Sequence, residues 1–325
     1  MIVDEALRTV RVIASGGTIA MAGRHAVPTL DADELVGEIS ALTGIKLRTD
    51  NPMSLPGSHL SLDDALSLAR LAIAAADSGD GVVVTQGTDT LEEVAFLCDL
   101  LYAGRVPIVF TGAMRPATAL GSDGPANILD AVVLASSPKA DDLGVLVSFA
   151  GRIHAARSVR KVDSVGVTAF ASPHGEVGRV VEGRVAIDLR PPRRPPLTPG
   201  SVDHRVEVVS ASLGSDGAIV ETLLDGTLDG LVGVGLGAGH FPPRLLRALS
   251  AAAERVPVIA TVRPERGSIL HDTYGFEGSE RDLRRSPIIP AGLLSPAAAR
   301  IKLLACLGAG LSGAEIRDAF AVDDG

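Results

Sequence analysis

Two short loops in this sequence place a threonine where a strand is predicted to end. The first loop, residues 15–18 (SGGT), follows the apolar run 9–14, and the second, residues 86–89 (QGTD), follows the β-branched run 82–84. A threonine hydroxyl becomes a nucleophile only when a neighbouring base removes its proton, and a partly buried lysine can be that base. We expect Lys161 at the same edge of the sheet. On residue types alone, the chemistry is acyl transfer or hydrolysis on a small polar substrate.

Backbone groups in these loops could assist that chemistry. Gly16 and Gly17 let the chain turn sharply with its amides pointing inward, where they could stabilise an oxyanion. The loop is not a dinucleotide-binding GxGxxG, because no third glycine follows at the right offset. The sequence also lacks a Walker motif, an HExxH motif and paired His–Cys spacing. We therefore expect no cofactor and no metal.

Alternating strand and helix patterns must position these loops. Apolar runs predict strands over 9–14, 82–84, 106–111 and 145–149, a loop over 21–30, and a hairpin over 178–187 that turns at 182–183. Helices are predicted over 31–42, after Ser61 with its cap partner Asp64, and after residues 122–125. Thr90 and Glu93 predict a capping box at the start of another helix. In a parallel α/β sheet the carboxyl ends of the strands form the usual site, which places both threonines together.

A proline-rich segment predicts the domain boundary. Five prolines lie within residues 191–200 and favour a stiff, extended spacer. Beyond it the pattern resumes with strands over 206–209, 231–234 and 257–262 and helices over 242–254, 295–307 and 312–320. We predict an α/β fold with a larger N-terminal domain (1–190), a linker (191–202) and a smaller C-terminal domain (203–325).

Composition excludes several classes of function. The net charge of −9 and 3% aromatic residues argue against a nucleic-acid partner. No apolar run approaches the ~20 residues of a membrane span, and the N-terminus does not resemble a secretion signal. Cys98 and Cys306 are predicted to be buried free thiols, in keeping with a cytoplasmic location. Arg190, Arg193 and Arg194 are expected to form a solvated linker.

Three motifs together resemble those of the bacterial-type L-asparaginases. They are residues 14–21 (ASGGTIAM), residues 82–93 (VVVTQGTDTLEE) and residues 108–131 (IVFTGAMRPATALGSDGPANILDA). The resemblance covers motif order, spacing and nearly the whole chain. It implies a flavodoxin-like N-terminal domain with a mostly parallel sheet and a Rossmann-like C-terminal domain. It also implies hydrolysis of L-asparagine to aspartate and ammonia through a threonine acyl-enzyme, in a homo-oligomer (a dimer or tetramer) with shared active sites.

The resemblance assigns roles residue by residue. Thr18 matches the family nucleophile, and Thr88 matches the second threonine. Asp89 matches the acid that also holds the substrate's α-amino group, and Lys161 matches the lysine that partners the second threonine. The substrate-binding positions continue with Ser58 for the α-carboxylate, His59 where a glutamine commonly contacts the α-amino group, and Ala113 for a backbone carbonyl that faces the substrate amide.

Some positions depart from the family pattern. Residues 21–30 contain no tyrosine to orient the nucleophile, and Ser268 stands at the expected position of the glutamate that pairs with it. Tyr274 is the candidate to supply the missing hydroxyl. Gln86 replaces a histidine, and Ala238 and His240 replace asparagines. Two alternatives therefore stay open: a catalytically weak amino-acid-binding regulator, and an amidase or glutaminase with different side-chain selectivity.

Overall fold

The computed structural model describes residues 7–22, 27–28, 33, 36–37 and 39–323. The chain divides into two compact units, with the division between Pro196 and Leu197. That division falls inside the proline-rich segment. Both units are α/β, as the sequence predicts, and the first is the larger.

The first unit alternates strands and helices. Its strands are β1 (Val10–Ala14), β2 (Met21–Ala22), β3 (Val27–Pro28), β4 (Leu47–Asp50), β5 (Gly81–Thr85), β6 (Ile108–Thr111), β7 (Val145–Phe149), β8 (Arg152–Ala155), β9 (Arg160–Lys161), β10 (Phe170–Ala171), β11 (Gly178–Val181) and β12 (Arg184–Ile187). Its helices are α1 (Ile39–Thr43), α2 (Leu62–Asp77), α3 (Leu91–Leu101) and α4 (Gly124–Ser136), with 3₁₀ turns at Thr18–Ala20, Gly57–His59 and Pro138–Ala140.

Within the described part of this unit, eight strands form one sheet in the order β12-β11-β8-β7-β6-β5-β1-β4. Five neighbouring strands of this sheet are parallel: β4, β1, β5, β6 and β7. Strands β8, β11 and β12 extend the sheet with antiparallel pairing. The parallel part has the flavodoxin-like strand order, in which the next two strands of this sheet along the chain, β4 and β5, lie on opposite sides of β1. The crevice between the carboxyl ends of β1 and β5 is therefore the expected ligand site. The residues that follow these two strands are the predicted site loops.

Burial on both faces explains why the central strands are continuous apolar runs. All residues of β5, β6 and β7 are buried. Helix α4 covers one face with Ile128, Ala131 and Val132, and these belong to the same buried cluster as Val83 and Val109. Parallel strands covered on both faces have no polar face to present, which is why periodicity of two is absent from them.

Several sequence predictions are confirmed at the residue level. Ser61 and Asp64 form a reciprocal capping box at the start of α2. The hairpin of β11 and β12 turns at Glu182 and Gly183, both with positive φ (50° and 69°). Two successive positive φ values are typical of the tight turns that match strand twist.

Other predictions differ from the structure. The prediction of a Thr90–Glu93 capping box is wrong. The Thr90 side chain makes no capping hydrogen bond to α3, and its hydroxyl donates to the Gly57 carbonyl instead. The predicted loop over 21–30 contains two paired segments, β2 and β3, with residues 23–26 and 29–30 outside the described residues. Of the helix predicted over 31–42, the structure describes Ile39–Thr43 as helical, and most of the remainder lies outside the described residues.

Two of the arginines at the proline-rich segment bond to carbonyl groups elsewhere in the first unit, although Arg190 is exposed to solvent as predicted. Arg193 donates to the carbonyl oxygens of Gly104 (3.1 Å) and Tyr102 (2.5 Å), and its guanidinium lies 5.5 Å from the centre of the Tyr102 ring. Arg190 donates to the carbonyls of Lys139 and Asp141. A guanidinium presents several donors in one plane, so it can bond two carbonyls at once.

The second unit is a smaller parallel α/β domain. Its strands are β13 (Val206–Ser210), β14 (Gly230–Gly235), β15 (Val258–Val262) and β16 (Ile289–Pro290), paired in that order. Its helices are α5 (Ala218–Leu224), α6 (Pro243–Ala253), α7 (Glu280–Arg284), α8 (Pro296–Gly308) and α9 (Gly313–Ala321). Leu245, Leu246 and Leu249 pack the buried face of α6 against Leu231 and Ala260 of the sheet.

Cys98 and Cys306 are buried free thiols, as predicted. Burial raises the pKa of Cys98 well above its ordinary value and that of Cys306 to about 11. Both thiols are therefore protonated and unreactive at neutral pH. Across residues 7–22 and 39–323, no helix is long and apolar enough to span a membrane. The same part of the chain holds no cluster of three or more His, Cys, Asp or Glu side chains suited to a metal ion.

Candidate active site

Three glycines bring the site loops into backbone contact. A Cβ atom on Gly17 would lie 2.2 Å from the nitrogen of Gly87, and one on Gly87 would lie 2.8 Å from the nitrogen of Gly57. These distances leave no room for any side chain. Gly17, Gly87 and Gly57 precede Thr18, Thr88 and Ser58 respectively, so the close approach sets three candidate site residues on adjacent loops.

Thr18 begins the 3₁₀ turn after β1 and is partly buried. The residue that follows it, Ile19, is buried in the same cluster as Ala113, which follows β6. A Cβ on Gly124 would lie 3.1 Å from Ile19 and 3.5 Å from the Cβ of Ala113, so both flank the first residue of α4. The structure thus places Ala113 beside the turn that carries Thr18.

Thr88, Asp89 and Lys161 form a hydrogen-bonded group. The Nζ of Lys161 lies 2.8 Å from the Oγ1 of Thr88 and 3.0 Å from the Oδ1 of Asp89. Thr88 is 5% exposed, whereas the carboxylate of Asp89 is open to solvent. A lysine bound between a buried hydroxyl and an exposed carboxylate can transfer protons between those two groups. The exposed carboxylate in turn can exchange protons with solvent. The pairing of Lys161 with Thr88, expected from the resemblance, is present in the geometry.

Lys161 lies on a short hairpin outside the main sheet. Strand β9 pairs only with β10 in the described ladder, with Lys161 opposite Phe170. The hairpin is attached to the main sheet through Ser172, whose hydroxyl lies 2.9 Å from Nδ1 of His154 on β8. His154 is fully buried. Burial lowers the pKa of His154 to about 4, with a smaller opposing effect from Glu176.

We expect His154 to make stability fall in mild acid. The unfolded chain takes up a proton near the reference pKa of ~6.5, while folded His154 stays neutral until about pH 4. The free energy of unfolding therefore loses about 2 kcal/mol between about pH 7 and about pH 5 through this group alone. Denaturant unfolding of wild type and His154→Gln at both pH values measures the difference. An equal acid-induced loss in the two proteins would contradict the assignment.

Ser58 and His59 lie in the 3₁₀ turn Gly57–His59 and are both exposed. A chain of side-chain bonds links this turn to the second threonine loop: Gln86 Nε2 lies 3.2 Å from Thr90 Oγ1, which lies 3.0 Å from the Gly57 carbonyl. Gln86 is fully buried. The position where the family commonly has histidine is therefore used here to hold two loops together.

Tyr274 belongs to the second unit, in an aromatic cluster with His240 and Phe276. The His240 ring contacts Tyr274 edge-on with 4.9 Å between centroids and lies 5.0 Å from the ring of Phe276. Tyr274 is 43% exposed. Ser268 lies in a loop of this unit and is partly buried, and Ala238 lies in the turn between Leu236 and His240.

Two glutamates without a role in the sequence predictions take part in these arrangements. Glu280 is fully buried and accepts hydrogen bonds from the backbone N–H groups of Thr273 (2.7 Å) and Tyr274 (2.6 Å). Glu92, on the first turn of α3, accepts a hydrogen bond from the backbone N–H of Lys161. In the sequence, the only feature that points to Glu92 is the pair of adjacent acids in residues 90–93 (TLEE). Acids in the first turn of a helix are ordinarily explained by their favourable interaction with the helix dipole.

Both halves of the chain match known protein families. The family described as "Asparaginase, N-terminal" matches residues 9–193, and the family described as "Glutaminase/Asparaginase C-terminal domain" matches residues 205–320. A protein named "Probable L-asparaginase" from Deinococcus radiodurans is 37% identical over 316 residues, covering 95% of each chain. A protein named "Probable L-asparaginase periplasmic" from Haemophilus influenzae is 30% identical over 311 residues, covering 91% of this chain and 88% of its own.

A solved structure shows the same fold. The crystal structure of a protein named "Probable Cytoplasmic L-asparaginase" from Campylobacter jejuni superposes with a TM-score of 0.85 at 26% identity, covering 97% of this chain and 99% of its own. Both domain families therefore match in the order in which the two α/β units occur. The chain belongs to the asparaginase family.

Proposed function

We propose that this chain is an L-asparagine amidohydrolase, a hydrolase acting on a linear amide. The observation that carries the proposal is the bonding of Lys161 to both Thr88 and Asp89. The loop that contains Thr88 and Asp89 is in backbone contact with Gly17, the glycine before Thr18. The activity in the name of the Deinococcus radiodurans relative agrees with this chemistry. No cofactor is needed, because a hydroxyl nucleophile with a nearby proton relay is sufficient for acyl transfer.

We propose Thr18 as the nucleophile. Its Oγ1 forms a bond to the side-chain carbonyl carbon of asparagine while a base removes the hydroxyl proton. The carbon–nitrogen bond then breaks, and the leaving nitrogen takes up that proton and departs as ammonia. A water oxygen then bonds to the ester carbon while the base takes up one of its protons. The bond to Thr18 Oγ1 breaks, that proton passes to Oγ1 to restore the hydroxyl, and aspartate leaves. Backbone amides of the glycine-rich loops are suited to stabilise the oxyanion in both steps.

We propose Thr88, Lys161, Asp89 and His59 as relay and binding groups. Thr88 and Lys161 transfer protons, and their hydrogen bond of 2.8 Å supports this role. Asp89 and His59 contact the α-amino group of the substrate. The exposed position of both side chains leaves them accessible to a ligand.

We propose three further residues that complete the site. Ser58 holds the α-carboxylate and Ala113 offers its carbonyl to the amide, and the match of both positions to the family motifs supports these roles. Tyr274 orients the nucleophile through its hydroxyl. It is the candidate because the other tyrosine of the chain, Tyr102, is buried.

Ammonia release from L-asparagine by the purified protein tests the proposed activity. We expect multiple turnovers, and we expect L-glutamine to be a poorer substrate, since one extra methylene costs ~1–3 kcal/mol, or ~10- to 200-fold in kcat/KM. Equal or faster turnover of glutamine would support a glutaminase or broader amidase instead. Tight binding of asparagine or aspartate in calorimetry, without turnover, would support an amino-acid-binding regulator.

We also propose a cytoplasmic homo-oligomer, a dimer or a tetramer, in which subunits share active sites. Buried free thiols and the word "cytoplasmic" in the name of the Campylobacter jejuni protein favour the cytoplasm, although the Haemophilus influenzae relative is named periplasmic. The proposed domain limits, 1–190 and 203–325 joined by 191–202, agree with the division at Pro196 and Leu197. Sedimentation of the purified protein as a monomer at catalytic concentrations would contradict shared sites.

A further inference from the structure

Glu92 connects the first turn of α3 to the lysine of the candidate site. Its Oε2 accepts a hydrogen bond from the backbone N–H of Lys161. The other end of the same lysine is bound by Thr88 and Asp89, four and three residues before Glu92 in the chain. One short segment, residues 88–92, therefore binds both the backbone and the ammonium of a single lysine.

We propose that Glu92 is a positioning residue that fixes the backbone of Lys161 so that its ammonium reaches Thr88. The inference rests on the proposed function, because it assumes that Lys161 relays protons for the reaction. Glu92 touches neither the proposed nucleophile nor the relay atoms, so it acts through Lys161.

The hairpin is held to the main sheet on its β10 side, where the buried ring of Phe170 lies 4.8 Å from the ring of Phe149, and Glu92 holds its β9 side. Strand β9 has two residues, and its ladder partner β10 also has two, outside the eight-stranded sheet. A two-stranded hairpin of this length is not independently stable in water. Lys161 also has a long side chain with ~2 kcal/mol of rotamer entropy, so a moving backbone would spread its ammonium over many positions. Anchoring the backbone restricts that spread.

Burial and charge make the Glu92 anchor sensitive to acid. Burial raises the pKa of Glu92, the hydrogen bond from Lys161 opposes that rise, and Glu93 adds to it. Arg160 and the ammonium of Lys161 favour the ionised form. When the pH falls through the raised pKa, Glu92 takes up a proton and becomes a weaker acceptor for the backbone N–H. Asp89 is the second carboxylate at this lysine, and it faces the ammonium rather than the backbone N–H.

A purely structural alternative is that Glu92 stabilises α3 through the helix dipole. Glu92 and Glu93 both lie in the first turn of α3. A dipole contribution of ~0.3–1 kcal/mol would be lost equally in variants of either residue and would not change turnover. Glu93 is therefore the matched control for Glu92.

The test compares Glu92→Ala, Glu92→Gln and Glu93→Gln with the wild type in asparagine turnover across pH. We expect Glu92→Ala to lower kcat by ~10- to 100-fold, with a much smaller change in KM, because the relay loses its position. Glu92→Gln retains an acceptor oxygen and is expected to lose less kcat, with a changed acid limb of the kcat profile. Glu93→Gln is expected to keep the wild-type kcat, with its acid limb moved slightly to lower pH because Glu93 no longer raises the pKa of Glu92. Equal kcat and equal acid limbs in the Glu92 and Glu93 variants would overturn the proposal.

A second readout separates this inference from the proposed function. Hydrogen exchange followed by mass spectrometry reports protection of the backbone N–H of Lys161 whether or not the protein turns over asparagine. We expect exchange at this amide to be about tenfold faster in Glu92→Ala than in Glu93→Ala, the equivalent of one hydrogen bond. Unchanged exchange would overturn the anchor. Faster exchange in a protein without turnover would retain the anchor and reject the proposed function.

Discussion

Replacement of Thr18 by alanine is expected to lower kcat for L-asparagine by at least ~10³-fold, or about 4 kcal/mol of transition-state stabilisation. The reason is that Thr18 lacks a substitute: the other threonine of the site, Thr88, is already engaged by Lys161 at 2.8 Å. Substrate binding uses other groups in the proposal, so KM should change far less than kcat. Steady-state ammonia release measures both constants.

Two further variants identify what Thr18 contributes. Thr18→Ser keeps a hydroxyl at the same position and is expected to retain a substantial part of kcat. Thr222→Ala removes a hydroxyl from the exposed helix α5, where it bonds the Ala218 carbonyl, and serves as the control for a threonine outside the site. Thr88→Ala is expected to lose turnover as well, because the relay loses its first acceptor. Full activity in Thr18→Ala would reject its role.

Gly17→Ala is expected to weaken the fold strongly. An alanine Cβ would lie 2.2 Å from the nitrogen and 2.3 Å from the Cα of Gly87, and the residue has φ +83°, which L side chains rarely adopt. Both atoms that it meets belong to backbone, so neither can move away as a flexible side chain could. We expect a loss of about 2–5 kcal/mol in the free energy of unfolding from strain and overpacking together. Denaturant unfolding measures it.

The same substitution is expected to separate the loops that carry Thr18 and Thr88. A displacement of about 1 Å in a catalytic arrangement can cost ~10²-fold in rate, so kcat/KM should fall by that order even where the variant is folded. Gly79→Ala is the matched control, because Gly79 has φ +94° and nothing within 4 Å of its added Cβ. It should lose only the conformational ~1–2 kcal/mol and keep its activity. Similar losses in the two variants would show that the glycine contact does not matter.

Much of the fold was predictable because it depends on local patterns. The strands of the parallel sheet are buried on both faces and therefore appear as apolar runs, and the Ser61–Asp64 box marks a helix start. The antiparallel extension by β8 was not predicted, because Arg152–Ala155 combines an exposed arginine with a buried histidine and has no strand-like alternation. Its place in the sheet is set by pairing with β7, a tertiary contact.

The site residues that belong to local motifs could be predicted from the sequence. The contacts between residues far apart in the chain could not. The threonines at the ends of β1 and β5 follow from strand ends and from the resemblance. The role of Thr90 was missed, since its hydroxyl bonds a carbonyl 33 residues earlier. Glu92 was missed for the same reason, since its partner lies 69 residues further along the chain. Sequence spacing contains no information about such contacts.

The proposed mechanism depends above all on which residue carries the acyl group during turnover. Rapid acid quenching of enzyme mixed with excess L-asparagine, followed by proteolysis and mass spectrometry of the peptides that contain Thr18 and Thr88, identifies that residue. We expect an aspartyl ester on Thr18, absent from Thr18→Ala and from enzyme quenched without substrate. An ester on Thr88 instead would contradict the mechanism.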